Sequence, residues 1–206
     1  MAEIKKERVA IFIDGSNFYH GLKTCIGNTK VDFSKFSQLL CGSRELVRAY
    51  YYNAPVNQQA FPDIYKDQQK FFGSLKTVPY FVLKLGRLEK RTVKVDKENL
   101  IKTFGDDVAK LILEKWGEVI TTYVEKGVDI DLAADMLRLA YNNAYDTAII
   151  VTGDGDFVSA VNGVKDMGKH VENANFSDGK GYHIRTACDK FISLDKDFLK
   201  PCLKKQ

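Results

Sequence analysis

Two aspartates, Asp154 and Asp156, lie in one short glycine-rich turn of sequence Thr-Gly-Asp-Gly-Asp-Phe. The apolar run 148–151 before them is typical of a buried strand, and the apolar spacing from Phe157 onward is typical of a helix. Two acids in one turn repel each other unless a cation or a proton intervenes, so the pair is a candidate metal site. The structural alternative is an aspartate that caps the helix, with glycines that form the turn.

Two other predicted strand ends carry acids in the same position. Asp14 directly follows the apolar run 9–13. The turn after it contains small and polar residues, namely Gly15, Ser16 and Asn17. Asp129 follows the strand-like run 119–124 and stands beside a predicted helix over 130–140, where an N-cap is the alternative interpretation.

Acids at the carboxyl ends of parallel strands meet at one edge of the sheet. We therefore predict a shared catalytic and metal-binding centre formed by Asp14, Asp129 (or Asp131), Asp154 and Asp156. Hard carboxylate oxygens suit Mg²⁺ or Mn²⁺, and such an ion activates water without a Ser–His or Cys–His nucleophile. The three histidines have no ligand spacing and are not predicted to be catalytic: His20, His170 and His183.

Strand-like and helix-like segments alternate along the whole chain. Strands separated by helices favour a parallel sheet that is covered on both faces. We therefore predict an α/β fold, a three-layer α/β/α sandwich with a mostly parallel central sheet, in one domain over residues 1–206. A helix over 32–40 is predicted to begin through Ser34, a helix over 97–116 to break at Gly105, and Trp116 to lie in the core.

Three ordered blocks resemble the signature segments of a known family: Phe-Ile-Asp-Gly-Ser-Asn (12–17), Lys-Gly-Val-Asp (126–129) and Thr-Gly-Asp-Gly-Asp-Phe (152–157). With segments 136–140 and 187–192, they are similar to the NYN domain, in the LabA-like branch of the PIN-like nucleases. The resemblance covers most of the chain. It implies a PIN-like (Rossmannoid) fold and a metal-dependent ribonuclease whose metal is bound by the acids above. The stretch at about 86–117 is longer than a compact member needs, and we predict an insertion there.

Basic and polar residues near these acids predict where RNA binds. Segment 84–97 is rich in basic residues, and Arg87, Lys90 and Arg91 are predicted to grip a phosphate backbone, with a solvated hairpin as the alternative. Further substrate contacts are predicted from Ser16, Asn17, Lys126 and Thr152. For Asn17 and Thr152 the alternative is a hydrogen bond that closes the turn. A run of three tyrosines, Tyr50, Tyr51 and Tyr52, offers a base-stacking face. Because successive side chains of a strand point to opposite faces, at least one of the three must be buried.

The composition of this 206-residue chain, with a net charge of +4, is that of an ordinary globular domain and permits a polyanionic partner. Four scattered cysteines, a polar start and no apolar run of membrane-spanning length favour a cytoplasmic protein. We predict single-stranded RNA as the partner and no membrane partner, and leave a homo-oligomer open. The alternative function is a catalytically silent RNA-binding or protein-interaction module on the same fold.

Overall fold

Strands and helices alternate in the structure as predicted. The computed structural model describes residues 6–176 and 181–205, so most of the polar start (residues 1–5) lies outside the described residues. The strands are Arg8–Asp14 (β1), Glu45–Asn53 (β2), Phe81–Leu85 (β3), Arg87–Lys94 (β4), Val119–Lys126 (β5), Thr147–Val151 (β6), His170–Asn175 (β7) and Lys190–Ser193 (β8). The helices are Gly15–Gly21 (α1), Phe33–Cys41 (α2), Pro62–Leu75 (α3), Lys97–Phe104 (α4), Asp106–Trp116 (α5), Val128–Tyr141 (α6), Val158–Asp166 (α7), Tyr182–Ala187 (α8) and Lys196–Leu199 (α9), with a π-helical turn at Leu22–Ile26 and a 3₁₀ turn at Gly155–Phe157.

The central sheet of the described chain has six strands in the order β3-β2-β1-β6-β7-β8. Every neighbouring pair in this sheet is parallel. Residues 9–13 of β1 are at most 1% exposed, as expected for a parallel strand that is covered on both faces. The predicted α/β fold with a mostly parallel sheet is therefore confirmed.

Helices cover both faces of this sheet. On one face, Phe36 of α2 and Phe72 of α3 pack in one apolar core. On the other face, Leu132 of α6 and Val161 of α7 pack in a second core. Each fully buried side chain of this size contributes about 1.5–3 kcal/mol. The two cores hold the helices on either side of the sheet, and the three-layer arrangement is confirmed.

Residues 87–126 form an arm that is built from β4, α4, α5 and β5. Its two strands pair antiparallel and make a sheet separate from the central one. The predicted break at Gly105 is confirmed, since this glycine separates α4 from α5 with a φ of 81°. The predicted burial of Trp116 is wrong: it is 65% exposed, because α5 packs mainly against α4 and not on the central sheet. The insertion at about 86–117 and the single domain stay predictions.

The start of α2 corrects a second local prediction. Asp32 caps this helix, because its Oδ1 accepts a hydrogen bond from Lys35 N (3.1 Å), whereas Ser34 lies inside the helix.

The longest of the described helices, α3 and α6, have 14 residues each. None of the described helices combines the length and apolar character that crossing a membrane requires.

Candidate active site

The carboxyl ends of β1 and β6 lie side by side at one edge of the central sheet. Ile13 pairs with Val151, so the residues that follow, Asp14 and Thr152, begin two adjacent turns. Asp14 is only 6% exposed, and its Oδ1 caps α1 by accepting a hydrogen bond from Asn17 N (3.0 Å). A buried carboxylate is thus oriented at the end of the central strand.

Hydrogen bonds join these two turns. Thr152 Oγ1 donates to Asp14 Oδ2 (3.0 Å) and accepts from Asp154 N (3.1 Å). Gly153 N donates to Asn17 Oδ1 (3.0 Å). Because Thr152 is only 1% exposed, the structure favours orientation of Asp14 over the direct substrate contact predicted for this threonine. Asn17 has both a bridging hydrogen bond and a position on the cleft wall.

The turn after β6 holds the pair of aspartates. Asp154 Oδ1 accepts a hydrogen bond from Asp156 N (2.9 Å) and so caps the 3₁₀ turn. A Cβ at Gly153 would lie 2.6 Å from Asn175 Nδ2, so a larger residue there would displace the Asn175 side chain of β7. The glycine thus leaves room for the Asn175 side chain beside the turn that carries Asp154.

Asp129 reaches the same edge of the sheet from the arm. Gly127, with a φ of 89°, turns the chain from β5 into α6, and Asp129 lies in the first turn of this helix. Both Asp129 and its alternative Asp131 are exposed, but only Asp129 lines the cleft. Glu125 near the end of β5 also lines the cleft. The sequence pattern did not single out Glu125, although it stands four residues before Asp129 in the same acidic stretch.

The side chains from these elements surround a cleft of about 620 Å³. Its lining consists of Asp14, Ser16, Asn17, His20, Gly21, Thr24, Glu125, Asp129, Gly153, Asp154, Asn175 and Phe176. Asp156 is exposed and is not part of this lining. The structure thus brings together three of the four predicted aspartates and adds Glu125, while their role as metal ligands stays a prediction. We refer to Asp14, Glu125, Asp129, Asp154 and Asp156 as the acidic cluster.

Burial, with a smaller contribution from mutual repulsion, raises the pKa values of three acids of the acidic cluster. Burial raises the pKa of Asp14, and the charges of Asp129 and Asp154 add to this rise. Loss of hydration and the charges of Asp14 and Asp129 raise the pKa of Glu125. Loss of hydration and the charges of Asp154 and Asp156 raise the pKa of Asp129. Each of these three carboxyl groups therefore holds its proton more tightly than an isolated acid does.

No lysine, arginine or histidine within residues 6–176 and 181–205 forms an ion pair with the acidic cluster. Asp135, farther along α6, shows the opposite situation, with Arg138 at 2.6 Å and Lys84 at 3.4 Å. Burial alone would raise the pKa of Asp135, but the hydrogen bond from Arg138 and the charge of Lys84 hold it below its usual value. The negative charge of the acidic cluster thus remains uncompensated among the described residues.

The chemistry of these donors fits a hard divalent cation. Mg²⁺ and Mn²⁺ prefer carboxylate oxygens and water, and a cation would relieve the repulsion within the acidic cluster. In the described part of the chain, no three acidic, histidine or cysteine side chains are already arranged as a metal-binding group. Binding of one cation by three carboxylates would therefore require side-chain rearrangement.

The basic residues predicted to contact phosphate lie on two faces of the arm. Arg87 pairs with Lys126 across the β4–β5 ladder. Because successive side chains of a strand point to opposite faces, Arg87, Arg91 and Lys126 share one face, and Lys90 shares the other with Glu125. These four basic residues lie outside the cleft lining, and their contacts with substrate stay predictions. Of the nearer predicted contacts, the structure places Ser16 on the cleft wall.

The tyrosine run of β2 does not form the predicted base-stacking face. Tyr51 and Tyr52 are 2% and 1% exposed, because both faces of β2 are covered. The Tyr51 hydroxyl donates to Gly15 O (3.3 Å), and the Tyr52 hydroxyl donates to Asp135 Oδ2 (3.0 Å). Tyr50 is half-buried and stacks on Phe12 with ring centroids 5.4 Å apart. These rings therefore serve the core.

Two individual proteins are similar to this chain, one in sequence and one in structure, and the name of neither describes an activity. The uncharacterized protein MJ0482 of Methanocaldococcus jannaschii is 26% identical over 119 residues, which cover 52% of this chain and 50% of that protein. The match thus spans about half the length of this relative. The crystal structure of a protein of unknown function, VPA0982 from Vibrio parahaemolyticus, has a TM-score of 0.64 and 20% identity over 97% of this chain and 99% of that chain. At this identity the likeness concerns the fold alone.

A comparison with protein families identifies the chain itself. The NYN domain model matches residues 8–195, a range that contains the sheet and the whole acidic cluster. Assignment to the LabA-like branch stays a prediction. Since the match covers most of the sequence, the chain belongs to the NYN domain family, a family of PIN-like nucleases.

Proposed function

We propose that this protein is a metal-dependent ribonuclease that hydrolyses phosphodiester bonds in single-stranded RNA. The observation that carries the proposal is the acidic cluster, whose five carboxylates lack a cationic partner among the described residues. A centre of this charge repels a phosphate backbone unless a cation lies between them. Membership of a family of PIN-like nucleases supports the same reaction.

The proposed cofactor is Mg²⁺ or Mn²⁺, held by Asp14, Asp129 and Asp154 with Glu125 and Asp156 beside them. When bound, a cation of this kind lowers the pKa of a coordinated water and stabilises negative charge on phosphoryl oxygens. Five carboxylates exceed what one such ion needs, because Mg²⁺ keeps several waters and binds few protein carboxylates. The remaining acids would then orient bound water through hydrogen bonds.

The chain's own contribution is to keep the carboxylates in place. Thr152 donates to Asp14 and Asn17 accepts from Gly153, so the two central turns are held at a constant separation. Fixed turns of this kind limit the rearrangement that cation binding requires to the carboxylate side chains. Ser16 on the cleft wall would donate a hydrogen bond to a phosphate oxygen, and Lys126 would attract the next phosphate along the strand.

The test is cleavage of labelled single-stranded RNA in Mn²⁺ and in EDTA. Asp129→Asn should lower Mn²⁺-dependent cleavage by at least about 100-fold, since it removes one proposed ligand. Asp131→Asn is the matched control, because it makes the same change two residues away at an exposed position outside the cleft. Equal cleavage in all reactions would refute the proposal. RNA binding without metal-stimulated turnover would indicate the catalytically silent module instead.

A further inference from the structure

Two exposed tyrosine–histidine pairs lie on either side of the acidic cluster. Tyr19 and His20 belong to α1, and Tyr182 and His183 belong to α8. In each pair the rings meet edge to face with centroids 5.7 Å apart. Tyr19 is 46% exposed and Tyr182 is 70% exposed. Both tyrosines therefore present a large apolar ring to solvent, held by a contact with one neighbouring ring.

Each pair adjoins the acidic cluster through its histidine. His20 is part of the cleft lining. On the other side, a Cβ at Gly155 would lie 3.5 Å from His183 Cβ, and Gly155 stands between Asp154 and Asp156. We call these two ring pairs the α1 rim and the α8 rim. In each rim the histidine adjoins the acids, and the tyrosine packs against that histidine.

The two rims lie on opposite sides of the central sheet. Phe18 of α1 packs in the core on one face, and Ile184 of α8 packs in the core on the other. The strands that precede these helices, β1 and β7, are separated only by β6 within the sheet. A polymer that extends from one rim to the other would therefore cross the end of β6, where Asp154 and Asp156 lie.

We propose that the two rims are base-stacking platforms for a single-stranded nucleic acid whose backbone crosses the acidic cluster. This inference rests on the proposed function and defines its substrate. The acidic cluster repels phosphate groups, and stacking of bases on aromatic rings supplies affinity that does not depend on the phosphate charge. In a duplex both faces of each base are already covered by its neighbours, so only unpaired bases can reach the rims.

The experiment measures the Kd of a short fluorescein-labelled single-stranded RNA by anisotropy, in EDTA so that metal-dependent cleavage does not proceed. Tyr19→Ala and Tyr182→Ala should each raise the Kd by about 5- to 100-fold. The Phe variants keep the ring and should bind within about two-fold of the unmodified protein. Tyr141→Ala is the control, because Tyr141 is 82% exposed at the end of α6 remote from Asp129, and its Kd should not change.

Two results would overturn the proposed stacking platforms. One is that Tyr19→Ala and Tyr182→Ala bind the single strand as tightly as Tyr141→Ala does. The other is that these two variants lose as much affinity for a fully paired duplex as for the single strand. The binding experiment and the cleavage test can fail independently of each other. Binding that depends on Tyr19 and Tyr182 without Mn²⁺-dependent turnover would overturn the proposed ribonuclease and leave the platforms standing. Turnover in Mn²⁺ with an unchanged Kd in the alanine variants would overturn the platforms alone.

Discussion

Replacement of Thr152 by valine tests whether uncharged hydrogen bonds hold the acidic cluster in place. Valine has nearly the shape of threonine but lacks the hydroxyl that donates to Asp14 Oδ2 (3.0 Å) and accepts from Asp154 N (3.1 Å). Since Thr152 is 1% exposed, bulk water does not readily replace its hydroxyl beside Asp14. The substitution therefore removes two hydrogen bonds with little change in packing.

The expected loss of stability follows from the kind of each bond. A hydrogen bond to a charged group contributes about 1.5–3 kcal/mol, and a neutral one about 0.5–1.5 kcal/mol. Asp154 lines the open cleft, where water partly replaces the neutral bond. We therefore expect the free energy of unfolding at pH 7 to fall by roughly 2–3 kcal/mol in Thr152→Val. The pKa of Asp14 should also rise further, because the bond from Thr152 lowers it in the unmodified protein.

Urea unfolding of Thr152→Val and Thr152→Ser measures this effect. Serine keeps the hydroxyl and loses one buried methyl group, which costs about 1 kcal/mol. The serine variant should therefore be the more stable of the two and should retain Mn²⁺-dependent RNA cleavage, whereas the valine variant should lose much of it. A loss below about 1 kcal/mol in Thr152→Val, or equal losses in both variants, would refute this reasoning.

Two further predictions concern charge and packing at the cleft. The raised pKa of Asp129 means that the folded protein keeps this proton to higher pH than the unfolded chain does, so Asp129→Asn should gain stability relative to the unmodified protein as the pH rises above about 4, the usual pKa of an aspartate. Urea unfolding midpoints of the two proteins across this pH range measure the gain. Mn²⁺ should reduce the gain, because it stabilises the unmodified protein. A stability difference between the two proteins that does not change with pH would contradict the prediction. Gly21→Ala should lose about 1–3 kcal/mol, because the new methyl group would lie 2.1 Å from Phe176 Cδ2. Gly73→Ala in α3, with nothing within 4 Å, should instead gain up to about 1 kcal/mol, and equal unfolding midpoints for the two alanine variants would contradict this contrast.

The central part of the fold and of the cleft was predictable because local patterns decide it. The apolar run before Asp14 and the one before Asp154 both indicate buried strands, and the glycines and polar residues after them indicate turns. Parallel pairing then brings the two strand ends to one edge of the sheet, as the register between β1 and β6 shows. Asp129 was predicted from the same rule, but β5 belongs to the antiparallel sheet of the arm and not to the central parallel sheet, so the rule does not explain how Asp129 reaches the cleft.

The residues that escaped prediction depend on contacts between distant segments. The position of Glu125 depends on how the arm leaves the central sheet, and a strand pattern does not specify which of its faces meets the cleft. Trp116 is exposed because α5 packs mainly against α4 and not on the central sheet. Tyr51 and Tyr52 are both buried because helices and neighbouring strands cover β2 on each side, which the tyrosine run alone does not reveal.

The acids of this protein are held in place in two different ways. Arg8 donates two side-chain hydrogen bonds to Asp146 and holds its pKa at about 2, and Arg44 pairs with Glu172 through both oxygens. Asp14 receives only uncharged donors, a backbone N–H and a hydroxyl. Uncharged donors orient a carboxylate without cancelling its charge, so the full negative potential remains at the cleft. Such an arrangement lowers the stability of the folded protein unless a cation binds, and proteins retain destabilising groups of this kind where activity requires them. The contrast between Asp14 and the arginine-paired acids therefore favours a site that is built to attract a cation.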